Sequence, residues 1–277
     1  MALSIEKEYF ESVVASATEA SGNVFAVIGG YIEQAHEEAF ELLGEELYRH
    51  LSGVTADDED YFLANHVKRW LCLRAYETAI PHLDLVLTPT GFGVVSNQST
   101  APASADRVNR LIATVKDARE DAFDELIERL RGNDKWCESN IAMVLFGSLF
   151  YRAKQLTRYG VPNAHRSQLT SARPRINAAE ARLKEAISAE FYQELCDAQR
   201  KKNETSQQLA AIVHCLNVIG CELDNDRRES FHHCRLLVSF LDANIRDFTT
   251  YANSTAYEAN NFEHYKNSAD DSCYFFG

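Results

Sequence analysis

Histidine and cysteine residues are concentrated in one part of the chain, between residues 214 and 234. The group comprises His214-Cys215, Cys221 and His232-His233-Cys234. Zinc ligands usually come in close pairs from turns or hairpins. These residues instead lie in segments of helical periodicity, where adjacent side chains point about 100° apart. We therefore interpret the three cysteines as small core residues, with zinc binding as the alternative.

Two Glu-x-x-His pairs, Glu33–His36 and Glu229–His232, have the i, i+3 spacing that carboxylate-bridged di-iron bundles use. Such a site also needs an inward-facing Glu on each of two further helices, and no feature of the sequence singles those out. The chain has no GxSxG motif and no cysteine in an activating context. The sequence therefore predicts a non-enzymatic protein without catalytic or metal-binding residues, and a helical metalloenzyme using the Glu/His pairs is the alternative.

Residues 91–96, Gly-Phe-Gly-Val-Val-Ser, resemble the start of a dinucleotide-binding GxGxxG motif. That motif needs a helix N-terminus directly behind its glycines, so that free N–H groups meet the pyrophosphate. Here Pro102 delays the next helix. We interpret the glycines as a tight turn and expect no nucleotide or other cofactor.

Composition and charge narrow the class of protein. Of 277 residues, 45% are hydrophobic and 25% are charged, as in ordinary soluble globular proteins. The net charge of −13 argues against sequence-specific nucleic-acid binding and favours protein partners. The longest apolar run, residues 141–150, is too short to cross a bilayer, and the N-terminus lacks the layout of a signal peptide. Seven scattered cysteines without a CxxC pair indicate reduced thiols in a cytoplasmic protein.

Helical periodicity dominates the chain and predicts a mainly α fold. Gly29-Gly30 predict a break near residue 30, and Pro81 is expected to end the third helix. The predicted helices cover about residues 4–20, 24–51, 59–79, 104–131, 139–159, 176–202, 204–222 and 227–250.

The one long passage without helical periodicity lies at residues 83–104. Apolar and other residues alternate along 83–87, which is typical of a strand. Thr88-Pro89-Thr90-Gly91 has the composition of a turn, and residues 92–96 can return as a second strand. This passage therefore predicts a β-hairpin over residues 83–100.

Two parts of the chain are similar to each other. Residues 32–51 align with 176–195 at an offset of 144, and residues 110–123 align with 235–248 at an offset of 125. In the first alignment the identical pairs are Ile32/Ile176, Ala35/Ala179, Glu41/Glu185, Glu46/Glu190, Tyr48/Tyr192 and Leu51/Leu195. The pattern predicts two related helical lobes, with the hairpin as an insertion in the first.

We predict the domains accordingly. Residues 1–135 form the first lobe with hairpin 83–100, residues 136–175 form a buried helix and connection, and residues 176–277 form the second lobe. The second lobe ends in an extended aromatic tail, residues 251–277, which we expect to dock on its own lobe or on a neighbouring subunit. The predicted subunit-contact residues are Leu87, Pro89, Gly91, Phe92, Gly93, Val94, Tyr274, Phe275 and Phe276.

The passage around residues 87–98, LTPTGFGVVSNQ, carries a resemblance to a known family. Together with the Tyr251…Ser254…Tyr257 spacing and the Phe-Phe-Gly at 275–277, it resembles uncharacterised proteins encoded in prophage-like regions of gut bacteria. The helix with Ile32, Ala35 and Leu43-Gly44-x-x-Leu47-Tyr48 is also similar to helical head–tail connector proteins, which form rings beneath a phage portal. Those connectors have one helical lobe, whereas this chain is predicted to have two.

The resemblance implies a virion structural protein of head–tail connector or adaptor type. It would assemble in the bacterial cytoplasm as a homo-oligomeric ring and contact portal or tail proteins of the phage particle. No membrane contact is expected. Besides the metalloenzyme, a further alternative is a scaffold or regulatory protein that binds a host factor.

Overall fold

A computed structural model describes residues 3–14, 24–83, 86–88, 91–93 and 104–262. Within these ranges the protein is mainly helical, which confirms the predicted fold class. The helices are α1 (Lys7–Val13), α2 (Val24–Leu43), α3 (Glu45–Leu51), α4 (Tyr61–Leu83), α5 (Ala105–Leu130), α6 (Asp134–Cys137), α7 (Asn140–Leu145), α8 (Lys154–Thr157), α9 (Arg166–Ile187), α10 (Ala189–Lys201), α11 (Ser206–Leu223), α12 (Arg227–Ala243), α13 (Thr249–Ala252) and α14 (Thr255–Asn260). Strands β1 (Val86–Thr88) and β2 (Gly91–Gly93) lie between α4 and α5.

The chain divides into two compact units. The first contains the described residues of 1–145, together with 152–154 and 163–169. The second contains 146–151, 155–162 and the described residues from 170 onward. The segment predicted as the connection, residues 136–175, therefore contributes residues to both units.

Helix α4 is the centre of the first unit. It contacts α1, α2, α3 and α5. Because these helices cover α4 on several sides, its buried residues occupy more than one face and leave no single apolar stripe. Helix α2 instead buries one stripe at helical spacing, formed by Ile28, Ile32, Ala35, Ala39 and Leu43. These residues recur three or four positions apart, as on the buried face of an amphipathic helix.

The second unit has its own core around α10 and α11. Phe191 of α10 lies with its ring centroid 5.4 Å from that of Phe248 and 5.9 Å from that of Tyr251. All three side chains are almost fully buried. Aromatic rings at such separations contribute packing beyond their buried area, so this cluster attaches α13 to the body of the unit.

Of the predicted hairpin at residues 83–100, the structure describes residue 83, which belongs to α4, and two paired strands, and the remaining residues lie outside the described residues. Val86–Thr88 pairs antiparallel with Gly91–Gly93, with Leu87 opposite Phe92. Helix α4 also continues through Pro81 to Leu83, so the predicted stop at Pro81 is wrong. Ala79 and Ile80 are buried, and this packing stabilises the last turn of α4, where a proline already has a helix-compatible φ.

The predicted helix at 139–159 is also wrong, although the predicted burial is correct. Helix α7 ends at Leu145 and α8 begins only at Lys154. Between them Phe146, Leu149 and Phe150 are fully buried. The hydroxyl of Ser148 accepts a hydrogen bond from the backbone N–H of Phe150 at 3.0 Å. A side-chain oxygen thus replaces a helical carbonyl as acceptor, which lets the chain leave the helix.

The extended tail predicted to begin at residue 251 is helical as far as the structure describes it. A 3-10 turn, Ile245–Asp247, is followed by α13 and α14. The hydroxyl of Ser254 accepts from the N–H of Tyr257 at 3.2 Å and caps α14. Residues 263–277 lie outside the described residues.

Helix α2 is continuous through Gly29-Gly30, and the chain breaks instead at Gly44. Gly44 has φ 78° and precedes α3, and Ser188 has φ 73° and precedes α10. Positive φ combined with ψ near 150° is a region that almost only glycine occupies, and another residue there costs about 1–3 kcal/mol. Ser188 therefore holds a strained backbone, whereas Gly44 does not.

We expect Ser188→Gly to raise the free energy of unfolding by about 1 kcal/mol, because relief of strain exceeds the few tenths of a kcal/mol by which glycine is the weaker cap. Gly44→Ser should lower it by a similar amount. Both tryptophans, Trp70 and Trp136, belong to the first unit. In urea unfolding, Gly44→Ser should therefore shift the transition that tryptophan fluorescence reports. Ser188→Gly should shift only the transition that circular dichroism reports. If both variants changed the free energy of unfolding in the same direction, the backbone strain assigned to Ser188 would be contradicted.

Candidate functional site

The predicted subunit-contact residues fall in two parts of the chain. Leu87 lies in β1, and Gly91, Phe92 and Gly93 lie in β2. The remaining predicted contact residues, Pro89, Val94, Tyr274, Phe275 and Phe276, lie outside the described residues. The structure thus brings four of the nine together, in one pair of strands.

The segment that carries these strands is long for its position. Helices α4 and α5 pack against each other, and residues 84–104, a stretch of 21 residues, join them. Connections between neighbouring helices in bundles usually need about 2–8 residues. The packing of α4 on α5 therefore does not account for the length of this connection.

The thiols of the second unit are poor nucleophiles. Cys196 and Cys215 are buried, Cys221 and Cys234 are half-buried, and all four are free cysteines. Burial raises the pKa of Cys196 to about 12, and it also raises the pKa of Cys215 and Cys234. Since the thiolate is the reactive form, these side chains are suited to packing.

Of the histidines of the same group, His214 belongs to α11, and His232 and His233 belong to α12. The ring of His214 is 5.3 Å from that of Phe240, and burial lowers the pKa of His214, with His233 adding to the effect. The ring centroids of His232 and His233 are 5.9 Å apart. In the part of the chain that the structure describes, no three His, Cys, Asp or Glu side chains are grouped so as to hold a metal ion.

The two Glu-x-x-His pairs have different surroundings. In α2, Nδ1 of His36 is 2.8 Å from the hydroxyl of Tyr48, and burial lowers the pKa of His36 against the opposing effect of Glu33. At the start of α12, Glu229 belongs to the capped first turn, where its N–H donates to Asp226 at 3.0 Å. The first pair lies in the first unit and the second pair in the second unit.

A buried polar cluster that the sequence analysis missed lies in the second unit. Ser148 donates its hydroxyl hydrogen to Glu180, which also bonds with Tyr192, and the Tyr192 hydroxyl accepts from the N–H of Leu149 at 3.3 Å. Glu180 is only 4% exposed, and this burial raises its pKa. Because the three side chains satisfy one another, the cluster attaches residues 148–149 to α9 and α10. It has the character of a structural network.

A groove of about 430 Å³ lies between α9, α11 and α12 of the second unit. Its size is within the range of roughly 300–1,000 Å³ typical of ligand sites. The lining residues are Arg182, Glu185, Ala186, Val218, Glu222, Arg227, Ser230, Phe231 and Cys234. We call this feature the α9–α11–α12 groove. Its residues come from three separate helices, so no local pattern of the sequence could have shown it.

The groove combines an apolar wall with charged residues. Phe231 is 67% exposed to solvent at this surface. Arg182 and Glu222 form an ion pair with 2.6 Å between Nη2 and Oε2. Arg227 has no ion-pair partner among the described residues. The groove therefore presents apolar surface next to charges of both signs, since Glu185 and Glu222 line it together with Arg182 and Arg227.

Among the described residues, no helix is both long enough and apolar enough to span a lipid bilayer.

Residues 29–143 match a family model described as a family of unknown function (DUF6712). No curated protein matches the chain. No solved structure matches it either. The matched region runs from α2 into α7 and includes both strands, so over this part of its length the chain is similar to a family of unknown function.

Proposed function

We propose that this protein is a non-enzymatic structural protein of a phage or prophage particle, of head–tail connector or adaptor type. It assembles with further copies of itself into a ring and contacts portal or tail proteins. The observation that carries the proposal is the 21-residue connection between α4 and α5, which is longer than the helix packing needs. Long connections with structure of their own are usually functional.

The strands in this connection offer a means of contact. Among the described residues, β1 and β2 pair only with each other, so each strand has one outer edge with unpaired backbone groups. Such an edge can accept a strand from a neighbouring molecule. Leu87 and Phe92 stand opposite each other in the pair, and we assign them to the contact between subunits.

The net charge of −13 supports protein partners of complementary charge. A portal or tail protein with basic patches would be steered toward this surface, while DNA would be repelled. In this proposal the protein is assembled in the bacterial cytoplasm and resides in the virion.

We also propose that the two units contain a duplicated helical element. The offset of 144 residues places Gly44 on Ser188, and these two residues share positive φ and the same position before a helix. The identities Ile32/Ile176 and Ala35/Ala179 are buried in both copies. The residue identities that define the alignment do not include Gly44 and Ser188. Their shared backbone conformation therefore supports the duplication independently.

A side-chain contact is repeated at the same offset. In the first unit the Tyr48 hydroxyl bonds with His36, and in the second the Tyr192 hydroxyl bonds with Glu180. In both cases the partner lies twelve residues before the tyrosine. The tyrosine is identical in the two copies, whereas its partner has changed from a base to an acid.

Light scattering after size-exclusion chromatography, with electron microscopy of the same fractions, tests the function. We expect the protein to form rings, and we expect the variant Leu87→Ser/Phe92→Ser to elute with the mass of the 31.3 kDa monomer. The matched control is Phe62→Ser, which removes an aromatic side chain that is 71% exposed on α4. It should assemble normally. A protein that stays monomeric at high concentration and binds no portal or tail protein would overturn the proposal.

A further inference from the structure

Helix α12 presents a basic face to solvent in an acidic chain. Arg228, His232 and Arg235 are exposed and recur at intervals of four and three residues, so they lie along one stripe of the helix. Neither arginine has an ion-pair partner among the described residues. Phe231 flanks the stripe and is 67% exposed. We call these three residues the α12 basic stripe.

The acidic residues near this stripe do not neutralise it. Glu229 lies off the stripe, with its Oε1 3.7 Å from Nε2 of His233. Asp242 lies seven residues beyond the stripe and accepts a hydrogen bond from a tyrosine hydroxyl of α13. In the neighbouring groove Glu222 pairs with Arg182, and one further glutamate and one further arginine balance each other. The stripe therefore keeps its positive charge at the surface of a chain whose net charge is −13.

Helix α2 of the first unit carries the opposite pattern. Its 20 residues include no lysine or arginine, and Glu33, Glu37 and Glu41 recur every four residues along its exposed side. None of these three has an ion-pair partner in the part of the chain that the structure describes, whereas the neighbouring Glu38 pairs with an arginine of α4. Phe40 flanks them and is 40% exposed. We call the three glutamates the α2 acidic stripe.

Both stripes gain from an oppositely charged helix. Like charges four residues apart on a helix repel each other, and the α2 acidic stripe contains two such pairs, Glu33–Glu37 and Glu37–Glu41. A second copy of the chain supplies a basic stripe for the acidic one and an acidic stripe for the basic one. The exposed phenylalanine beside each stripe adds apolar surface to the same contact.

The two stripes also match in length. Along the helix axis Arg228 and Arg235 are about 10.5 Å apart, and Glu33 and Glu41 are about 12 Å apart. In an antiparallel arrangement with Arg228 opposite Glu41, the flanking phenylalanines lie on the same side of the contact and about 3 Å apart along the axis. A parallel arrangement would place them on opposite sides. The helical positions therefore favour the antiparallel pair.

We propose that the α12 basic stripe of one copy binds the α2 acidic stripe of a second copy, with the two helices antiparallel. The contact joins two different surfaces, so each copy binds one neighbour through each stripe. Repeated contacts of this kind close into a ring or extend into a filament. The inference rests on the proposed assembly of the protein with itself, and it adds a contact that does not involve β1 or β2.

Charge reversal on each stripe, followed by sedimentation velocity over a range of protein concentrations, tests the proposal. The first variant is Arg228→Glu/Arg235→Glu, and the second is Glu33→Lys/Glu37→Lys/Glu41→Lys. Half-assembly of either variant alone should need a concentration at least about tenfold higher than for the wild type, because like charges then face each other. An equimolar mixture of the two variants should assemble as the wild type does, since each stripe of one variant is then opposite in charge to its counterpart on the other.

Arg107→Glu/Arg110→Glu is the matched control. It makes the same change of charge on two exposed arginines of α5, outside both stripes, and should assemble as the wild type does. Circular dichroism checks that each variant keeps its helices. If Arg228→Glu/Arg235→Glu loses them, Arg228→Gln/Arg235→Gln takes its place and removes the charge without reversing it.

The outcomes separate this contact from the proposed function. Normal assembly of the charge variants, together with a monomeric Leu87→Ser/Phe92→Ser, would overturn the contact and leave the proposed function standing. A mixture that fails to restore assembly would show that the two stripes do not bind each other, and would overturn the contact as well. A wild-type protein that stays monomeric would overturn both.

Discussion

Replacing Asp124 with asparagine is expected to lower the free energy of unfolding of the first unit by about 3 kcal/mol. The Asp124 carboxylate is 1% exposed and accepts the N–H of Ala153 at 2.7 Å and the guanidinium of Arg166 at 2.9 Å. Removing one partner of a buried pair typically costs about 3–5 kcal/mol. We place the effect at the lower end because the Arg166 side chain is 21% exposed.

The hydrogen-bond geometry explains why asparagine, which has the same shape as aspartate, cannot replace Asp124. Both carboxylate oxygens of Asp124 accept hydrogen bonds from donors, and the second oxygen also lies 3.4 Å from the N–H of Lys154. Asparagine would direct an NH₂ group at one of these donors and leave it unsatisfied in a buried site. The segments 152–154 and 163–169, which rejoin the first unit, would lose part of their attachment to α5, while the hydrogen bond from the N–H of Ser167 to Glu120 remains.

Urea unfolding followed by tryptophan fluorescence measures this effect, since both tryptophans lie in the first unit. Asp121→Asn is the matched control. It makes the same change on the same helix, but the Asp121 side chain is 48% exposed, and its Oδ1 lies 4.0 Å from Nδ1 of His165. Its effect should stay below about 0.5 kcal/mol. Equal effects of the two substitutions would contradict the assigned role of Asp124.

Replacing Gly220 with alanine is expected to destabilise the second unit by about 3 kcal/mol, the upper end of the usual cost of overpacking. A Cβ atom at Gly220 would lie 2.0 Å from Cε1 of Tyr159 and 2.1 Å from its Cδ1. The ring cannot simply turn away. Its hydroxyl donates to Asn217 at 3.2 Å, and its centroid lies 6.0 Å from that of Phe150. Burial also raises the pKa of Tyr159 to about 12.

Gly30→Ala is the control for this substitution and should change the free energy of unfolding in the opposite direction. A Cβ atom at Gly30, in the interior of α2, would meet no atom within 4 Å. Alanine there should stabilise the helix by about 0.5–1 kcal/mol. Circular dichroism should report the loss for Gly220→Ala while tryptophan fluorescence stays unchanged.

A second variant tests the cause of that loss. Tyr159→Ala removes the ring that the new methyl group meets. The double variant Gly220→Ala/Tyr159→Ala should therefore be more stable than the sum of the single effects predicts. Additive effects would show that the close approach of Tyr159 is not the reason for glycine at this position.

The local sequence pattern predicted the mainly helical fold and the passage in which helical periodicity is absent. The apolar stripe of α2 appears at helical spacing in the sequence and is buried in the structure, and α5 buries the later part of its stripe, Val115, Ala122, Leu126 and Leu130. The sequence predicts the non-helical passage between the two helices that flank it in the structure, α4 and α5. These features depend on neighbouring residues of the chain, so periodicity and turn chemistry are sufficient to predict them.

Contacts with residues distant in the sequence determined the backbone conformation at positions where the local sequence is compatible with both a helix and a loop. The stretch 146–153 is as apolar as a buried helix, yet Asp124 and the hydroxyl of Ser148 provide acceptors that the helix would otherwise supply. Helix α4 continues through Pro81 because Ala79 and Ile80 are buried. Burial can be predicted from composition, but the choice among competing hydrogen-bond acceptors depends on which helices meet.

The candidate sites likewise divide into one that the local sequence indicates and others that depend on tertiary contacts. The sequence alone identified residues 83–104 as the long passage without helical periodicity, and the packing of α4 on α5 then showed that the length of this connection is not needed to join the helices. The groove beside Ala186, the Ser148–Glu180–Tyr192 cluster and the paired breaks at Gly44 and Ser188 required the tertiary structure. Each of them joins residues from separate helices or depends on a backbone angle, and neither property is encoded in a local run of residue types.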